Sequence, residues 1–191
     1  ALVNATPLAV SSTLFLFYVG ATLEADGWEG PLLLIFFLAG AASSPLWSFL
    51  ATRFGSKPVL LAAMLLAVAS FGFAFTLGPG DVALFAIVCI FSGATIGADL
   101  VLLPALFSSR MAEISPNGGQ GFGLWAFVSK ASLALAAIIL LPLLEAVGFQ
   151  AGSANNPPEA LRLLTYFYAL VPCALKLIAI GLLAATNLNG R

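Results

Sequence analysis

The feature that most constrains this chain is a series of long apolar stretches separated by short polar breaks. Each stretch has about 20 residues, the length that an α-helix needs to cross a hydrocarbon layer of about 30 Å. The stretches do not alternate in polarity as the strands of a membrane barrel do, so helices are predicted. The six predicted spans lie near residues 3–22, 31–52, 58–77, 82–107, 121–146 and 162–185.

Composition places the whole chain in a membrane. Hydrophobic residues make up 61% of the chain and charged residues 8%, whereas soluble domains carry about 25% charged residues. So much apolar surface cannot be buried in one core and must contact lipid. The net charge of −1 and the lack of a basic run argue against a nucleic-acid partner. The sequence therefore predicts an all-α integral membrane protein whose first partner is membrane lipid.

Residues that could carry out chemistry are scarce. The sequence has no histidine, the commonest metal ligand and general base. Cys89 and Cys173 lie in apolar segments without metal-binding spacing, and both are predicted to be buried. The serine, aspartate and lysine residues form no nucleophile-and-base signature. We therefore predict that the chain is not an enzyme and has no metal site and no cofactor.

Local sequence signals indicate how the spans begin and how they pack. Asp81 and Pro158 stand where helices are predicted to begin, the first as a capping side chain and the second as a residue with a preset dihedral angle. Small residues recur at 40–44, 92–98 and 129–137. Because small residues let helix backbones approach closely, these segments predict a packed bundle.

The distribution of basic residues predicts the orientation of the spans. Four basic residues of the loops and ends fall on one side of the bundle, and only Arg162 falls on the other. The four are Arg53, Lys57, Arg110 and Arg191. Since cytoplasmic loops carry the excess of lysine and arginine, both termini are predicted to be cytoplasmic.

Three charged residues lie inside the predicted spans: Asp99, Lys130 and Lys176. Counting from the cytoplasmic ends at about 1.5 Å per residue puts each of them roughly 12 to 14 Å deep. A lone charge at that depth costs on the order of 2.5 to 3.5 kcal/mol, so it normally meets a partner or a water-filled cavity. Asp99 and Lys130 lie on consecutive antiparallel helices. They are therefore predicted to face one another or to share a polar cavity.

Each of the two lysines has a second interpretation. A lysine stem reaches about 6 Å and can carry the ammonium group along the helix to the membrane interface. This alternative stays open for Lys130, and it is the favoured one for Lys176 in the last span. The side chain of Asp99 is too short to reach the interface, which favours a paired or functional role for this residue.

Sequence similarity adds a family context. The inner loop "RFGSK", with Arg53, Gly55 and Lys57, resembles the loop between the second and third helices of each half of major facilitator transporters. The chain as a whole is similar to the carboxy-terminal half of the glycoside–pentoside–hexuronide:cation symporter family, the family of melibiose permease. The segments that carry this similarity are 91–111, 118–137 and 168–179. The resemblance implies a six-helix half-bundle that corresponds to helices seven to twelve of a twelve-helix transporter.

The resemblance also implies roles for individual residues. Asp99 and Lys130 map to helices that line the central cavity, whereas Lys176 maps to a peripheral helix. Lys130, in "FVSK", matches a family lysine associated with the sugar and cation pathway, so it is the first candidate for substrate or coupling contact. Further candidates for sugar contact are Trp125, Asn4 and Thr6.

Two features depart from the family pattern. The family carries an Ala-Asp-x-x-Asp motif at the cytoplasmic end of the tenth helix, where this chain has Phe107 and Arg110. The family's cation-binding carboxylates belong to its amino-terminal half, whereas this chain resembles the carboxy-terminal half.

The expected function is half of a secondary active transporter in a bacterial inner membrane. It would carry a sugar-like or other small polar solute by cation-coupled symport, with H⁺ or Na⁺ as the coupling ion, and would work by alternating access. Such a half needs a second six-helix half to enclose a pathway. The alternative is a degenerate half-transporter that serves as a structural or assembly subunit of a larger membrane complex, with its charges in buried packing pairs.

Overall fold

The structure is a computed structural model that describes residues 2–114, 119–153 and 155–185. All secondary-structure elements in these ranges are helical. They are α1 (Leu2–Phe17), α2 (Glu29–Phe54), α3 (Ser56–Ala74), α4 (Val82–Ile114), α5 (Gly119–Ala146), α6 (Pro158–Thr165) and α7 (Val171–Ala185). Two π-helical turns, Tyr18–Thr22 after α1 and Tyr166–Leu170 between α6 and α7, make the adjoining helices continuous.

The described part of the chain has six helical segments long and apolar enough to cross a membrane, which confirms the predicted all-α class and number of spans. They are Asn4–Thr22, Glu29–Phe54, Ser56–Ala74, Val82–Ser109, Gln120–Ala146 and Pro158–Ala185. The largest shifts from the predicted boundaries are at the sixth span, which begins at Pro158, and at α4, which continues to Ile114. Pro104 lies inside α4, and the sequence from 105 to 115 contains no glycine or proline that would end the helix earlier.

The two predicted helix starts lie where expected. Pro158 is the first residue of α6. Asp81 directly precedes α4, and its backbone carbonyl accepts a hydrogen bond from the Phe85 amide at 2.9 Å. The Asp81 carboxylate, however, accepts a hydrogen bond from the Gly78 amide at 3.0 Å. The side chain therefore closes the preceding turn.

The helices form a bundle whose buried apolar side chains make two clusters, one around Tyr18 and Phe85 and one around Leu60 and Leu102. Helix α1 packs against α5 and α7, α2 packs chiefly against α4, and α3 packs against α4 and α7. Large apolar side chains on α2 and α5 remain exposed, among them Phe37, Phe127 and Ile138. These faces must meet lipid or a further layer of helices, because such apolar surface is not stable in water.

The contact between α2 and α4 is made by two of the small-residue segments predicted to allow close packing, 40–44 and 92–98. A Cβ atom added to Gly93 would collide with the backbone carbonyl of Phe36, and one added to Gly97 would collide with Ser43 and the carbonyl of Gly40. The Oγ atom of Ser43 also donates a hydrogen bond to the Ala94 carbonyl at 2.9 Å. The glycines thus let the two backbones approach, as the sequence pattern indicates.

The two π-helical turns meet inside the bundle. Tyr18 begins the first turn and Tyr168 lies in the second. Their rings stack with centroids 4.2 Å apart, and the Tyr18 hydroxyl donates a hydrogen bond to the Ala74 carbonyl at 2.6 Å. Because a π-turn contains an extra residue, it changes the phase of the helix that follows by about 100°. This change of phase affects which face α7 turns toward the centre.

Candidate functional site: a buried ion pair between three helices

An ion pair inside the bundle joins Asp99 of α4 to Lys176 of α7. The Lys176 Nζ atom lies 2.6 Å from Asp99 Oδ2, and the two side chains are 9% and 19% exposed. Asn4 of α1 completes the group. Its Oδ1 atom accepts a hydrogen bond from Lys176 Nζ at 2.9 Å, and its Nδ2 atom donates a longer one to Asp99 Oδ2 at 3.4 Å. Three helices that are far apart in the sequence therefore meet at one charged cluster.

Two interpretations of the sequence are corrected here. The prediction that Asp99 and Lys130 face one another is wrong, because Asp99 pairs with Lys176; the alternative, a polar cavity that both share, stays a prediction. The favoured extension of Lys176 to the interface from a peripheral helix is also wrong, because this side chain is buried. The shared depth predicted for Asp99 and Lys176 agrees with their contact. Depth can be counted along a sequence, but the face of the helix on which a residue lies depends on packing and on the π-turn before α7.

Lys130 is exposed on α5, a helix whose main packing partner is α1. No hydrogen bond or ion pair joins it to another residue in the part of the chain that the structure describes. Its neighbours one turn away on either side, Phe127 and Leu133, are also exposed. Lys130 is thus a single charge on an apolar face that the bundle does not cover.

A small cavity lies beside the ion pair, between α1, α3, α4 and α7. Its volume is about 30 Å³, which is enough for one or two water molecules. The lining includes Asp99 and Lys176 together with the hydroxyl groups of Ser11, Ser92 and Thr95. Sequence reasoning missed these hydroxyls. The signal was present, since Ser92, Thr95 and Asp99 follow the spacing that places residues on one helix face.

The remaining sugar-contact candidates lie elsewhere or at the margin of this cluster. Trp125 packs edge-on against Phe107, with ring centroids 4.8 Å apart, and Phe122 packs against the same phenylalanine. Aromatic packing between α4 and α5 therefore involves Phe107, the position at which the sequence resemblance implies an acidic residue. The Arg110 side chain, at the second motif position, lies outside the described residues. Thr6 is partly buried on α1, two residues after Asn4.

The inner-loop motif forms the junction of three helices. Gly55 separates α2 from α3 with a backbone φ of 90°, a conformation that favours glycine. Lys57, near the start of α3, donates a hydrogen bond from Nζ to the Ala184 carbonyl at 3.0 Å. A cation at the carboxyl end of α7 is favourable because it complements the helix dipole. Arg53 lies in the last turn of α2. The motif thus ties the beginning of α3 to the end of α7.

The described residues contain no group of three or more histidine, cysteine or acidic side chains that could hold a metal ion. Cys89 and Cys173 are buried free thiols, as predicted.

Six apolar spans with a charged cluster buried between them are the architecture of a helical membrane protein. The family described as MFS/sugar transport protein matches residues 1–190. The chain therefore belongs to this family, whose members are transporters of the major facilitator type. A comparison with curated proteins found no match.

Proposed function

We propose that this chain forms one half of a secondary active transporter that carries a sugar-like or other small polar solute by cation-coupled symport. The observation that carries the proposal is the match to a sugar-transport family over residues 1–190. The six-helix bundle fits one half of the major facilitator fold, whose two halves enclose the substrate at the bilayer midplane. Transport would follow from rocking of the two halves around that site.

Lys130 supports a second half covering α5. An exposed lysine on an apolar helix face would be costly in hydrocarbon, on the order of 2.5 to 3.5 kcal/mol. A polar cavity between two halves removes this cost, because water or a hydroxylated solute can solvate the ammonium group. In this arrangement Lys130 would donate hydrogen bonds to the solute or compensate charge during coupling.

The orientation proposed for the transporter puts both termini in the cytoplasm of a bacterial cell. The contact between Lys57 and Ala184 supports one part of this assignment, because it puts the α2–α3 junction and the end of α7 on the same side of the bundle. That side also carries Arg53, so basic residues cluster there as on a cytoplasmic face.

Uptake by cells that express the native full-length protein tests this function. Radiolabelled hexoses, pentoses, disaccharides and uronic acids would be supplied with and without Na⁺ and with and without a proton gradient. We expect at least one of these solutes to accumulate in a cation-dependent manner. Lys130→Ala should lower the uptake rate about tenfold or more, equivalent to about 1.4 kcal/mol.

Arg162→Ala is the matched control. Like Lys130, Arg162 is an exposed basic residue, but it lies in α6 at the start of the last span. It should leave uptake near the wild-type rate. Absence of uptake for every solute, or wild-type uptake by Lys130→Ala, would contradict the proposal. Absence of uptake would favour the alternative of a structural subunit. Wild-type uptake by Lys130→Ala would favour the interpretation in which the Lys130 ammonium group extends to the membrane interface.

A further inference from the structure

We propose that Asp99 and Asn4 form a monovalent-cation site that is filled by the chain's own Lys176 ammonium group. Removing this ammonium would open the site to a free cation such as Na⁺ or K⁺. The inference goes beyond the proposed function and does not depend on it, because it concerns binding within the six-helix bundle and not transport.

The geometry around Lys176 Nζ is that of a cation held by oxygen ligands. Asp99 Oδ2 lies at 2.6 Å and Asn4 Oδ1 at 2.9 Å from the nitrogen. One ligand is an anionic carboxylate and the other a neutral amide oxygen, both of which are ligands that hard cations prefer. They come from α4 and α1, whereas the ammonium arrives on α7. The two oxygen ligands therefore lie on different helices from the one that carries the ammonium group.

The adjoining cavity also favours a positive charge. The Ser92 hydroxyl donates to the Val88 carbonyl at 2.6 Å, and the Thr95 hydroxyl donates to the Ser92 carbonyl at 2.7 Å. Ser11 likewise donates to the Pro7 carbonyl at 3.1 Å. Since each hydroxyl has used its proton on its own helix, only oxygen lone pairs remain to face the cavity. Such groups can solvate a cation, either directly or through water.

Charge balance specifies a monovalent ion. Asp99 and Lys176 are the charged residues in the lining of this cavity, as far as the structure describes it. Without the lysine charge, the site carries one negative charge in a largely buried position. A monovalent cation would neutralise that charge, whereas a divalent cation would leave an excess positive charge at intramembrane depth. The space left by the ammonium, together with the cavity of about 30 Å³, accommodates a small cation with one or two waters.

Cation-dependent thermal stability of the purified native protein in detergent tests the inference. Melting temperatures would be compared in sodium, potassium and choline chloride at constant ionic strength, for the wild type, Lys176→Met and Lys176→Met combined with Asp99→Asn. The wild type should melt at one temperature in all three salts. Lys176→Met should melt lower in choline and regain about 3 °C or more in sodium or potassium chloride. The double variant should not respond to the cation, because its site has lost the carboxylate charge.

Two further variants make the result specific. Lys176→Arg keeps a tethered cation and should remain insensitive to the salt. Arg162→Gln removes one positive charge from an exposed position and should also remain insensitive, which controls for general charge effects. The inference is overturned if the wild type melts at a higher temperature in sodium or potassium chloride than in choline chloride because Asp99 binds the cation. It is equally overturned if Lys176→Met does not respond to either cation, or does not fold in any of the salts while the double variant does.

Discussion

Asp99 illustrates what can be predicted about a single residue in a membrane span. Its type and its depth indicate a charge that needs compensation, and the structure supplies that compensation from Lys176. The identity of the partner could not be predicted, because two lysines lie at similar depths and the sequence does not tell which of them faces Asp99. Burial distinguishes them in the structure, where Lys176 is buried and Lys130 is exposed.

Asn4 is the neutral member of the charged cluster, and its contribution can be measured by truncation. Asn4→Ala removes the acceptor 2.9 Å from Lys176 Nζ and leaves one proton of a buried ammonium without that partner. We expect unfolding to become easier by about 1 to 2 kcal/mol. Thermal unfolding in detergent would measure this change. Asn155→Ala, at an exposed loop position, should have little effect, and equal melting temperatures for the two variants would argue against the role of Asn4.

At the scale of the helices, the elements were largely predictable and their irregularities were not. The length of the apolar stretches determines the number of spans, and the small residues at 40–44 and 92–98 indicate close helix packing without specifying that α2 and α4 are the helices that meet. The two π-helical turns, at Tyr18–Thr22 and Tyr166–Leu170, have no comparable signal in the sequence. Tyr18 and Tyr168, one from each turn, stack on one another, a contact between residues far apart in the sequence. Because the second turn sets the phase of α7, the orientation of Lys176 could not be read from the sequence.

The α2–α4 contact leads to a prediction about Gly97. Gly97→Ala puts a methyl group against Ser43 and the backbone carbonyl of Gly40, so the helices must separate. We expect a loss of about 1 to 3 kcal/mol of stability, typical of overpacking. Gly72→Ala on α3 is the matched control, because its added Cβ meets no atom within 4 Å beyond the adjoining backbone of its own helix. The melting temperature of Gly97→Ala should be clearly lower than that of Gly72→Ala. The reverse order would show that α2 and α4 have room to adjust.

For the whole molecule, the major facilitator family and the six helical spans agree with the sequence-based prediction, whereas the buried ion pair joins Asp99 to a different lysine than predicted. The sequence emphasised α5 and Lys130. The structure adds a cluster that joins α1, α4 and α7, with Asn4 and Asp99 on two of the helices assigned to the cavity. The last span, which the family resemblance assigns to the periphery, takes part in this cluster through Lys176. A substitution in the cluster can therefore affect the packing of α1 and α4, the two helices assigned to the cavity, and also the packing of α7 in the last span.

A double-mutant cycle on global unfolding in choline buffer tests the Asp99–Lys176 pair most directly. Asp99→Asn and Lys176→Met should each lower the stability, because each leaves a buried charge without its partner. The combined variant should recover part of the loss, with a coupling energy of about 2 to 3 kcal/mol. The same cycle with Asp99→Asn and Lys130→Met should give additive changes within about 0.5 kcal/mol. Additive changes for Asp99 with Lys176, or a large coupling for Asp99 with Lys130, would contradict this account.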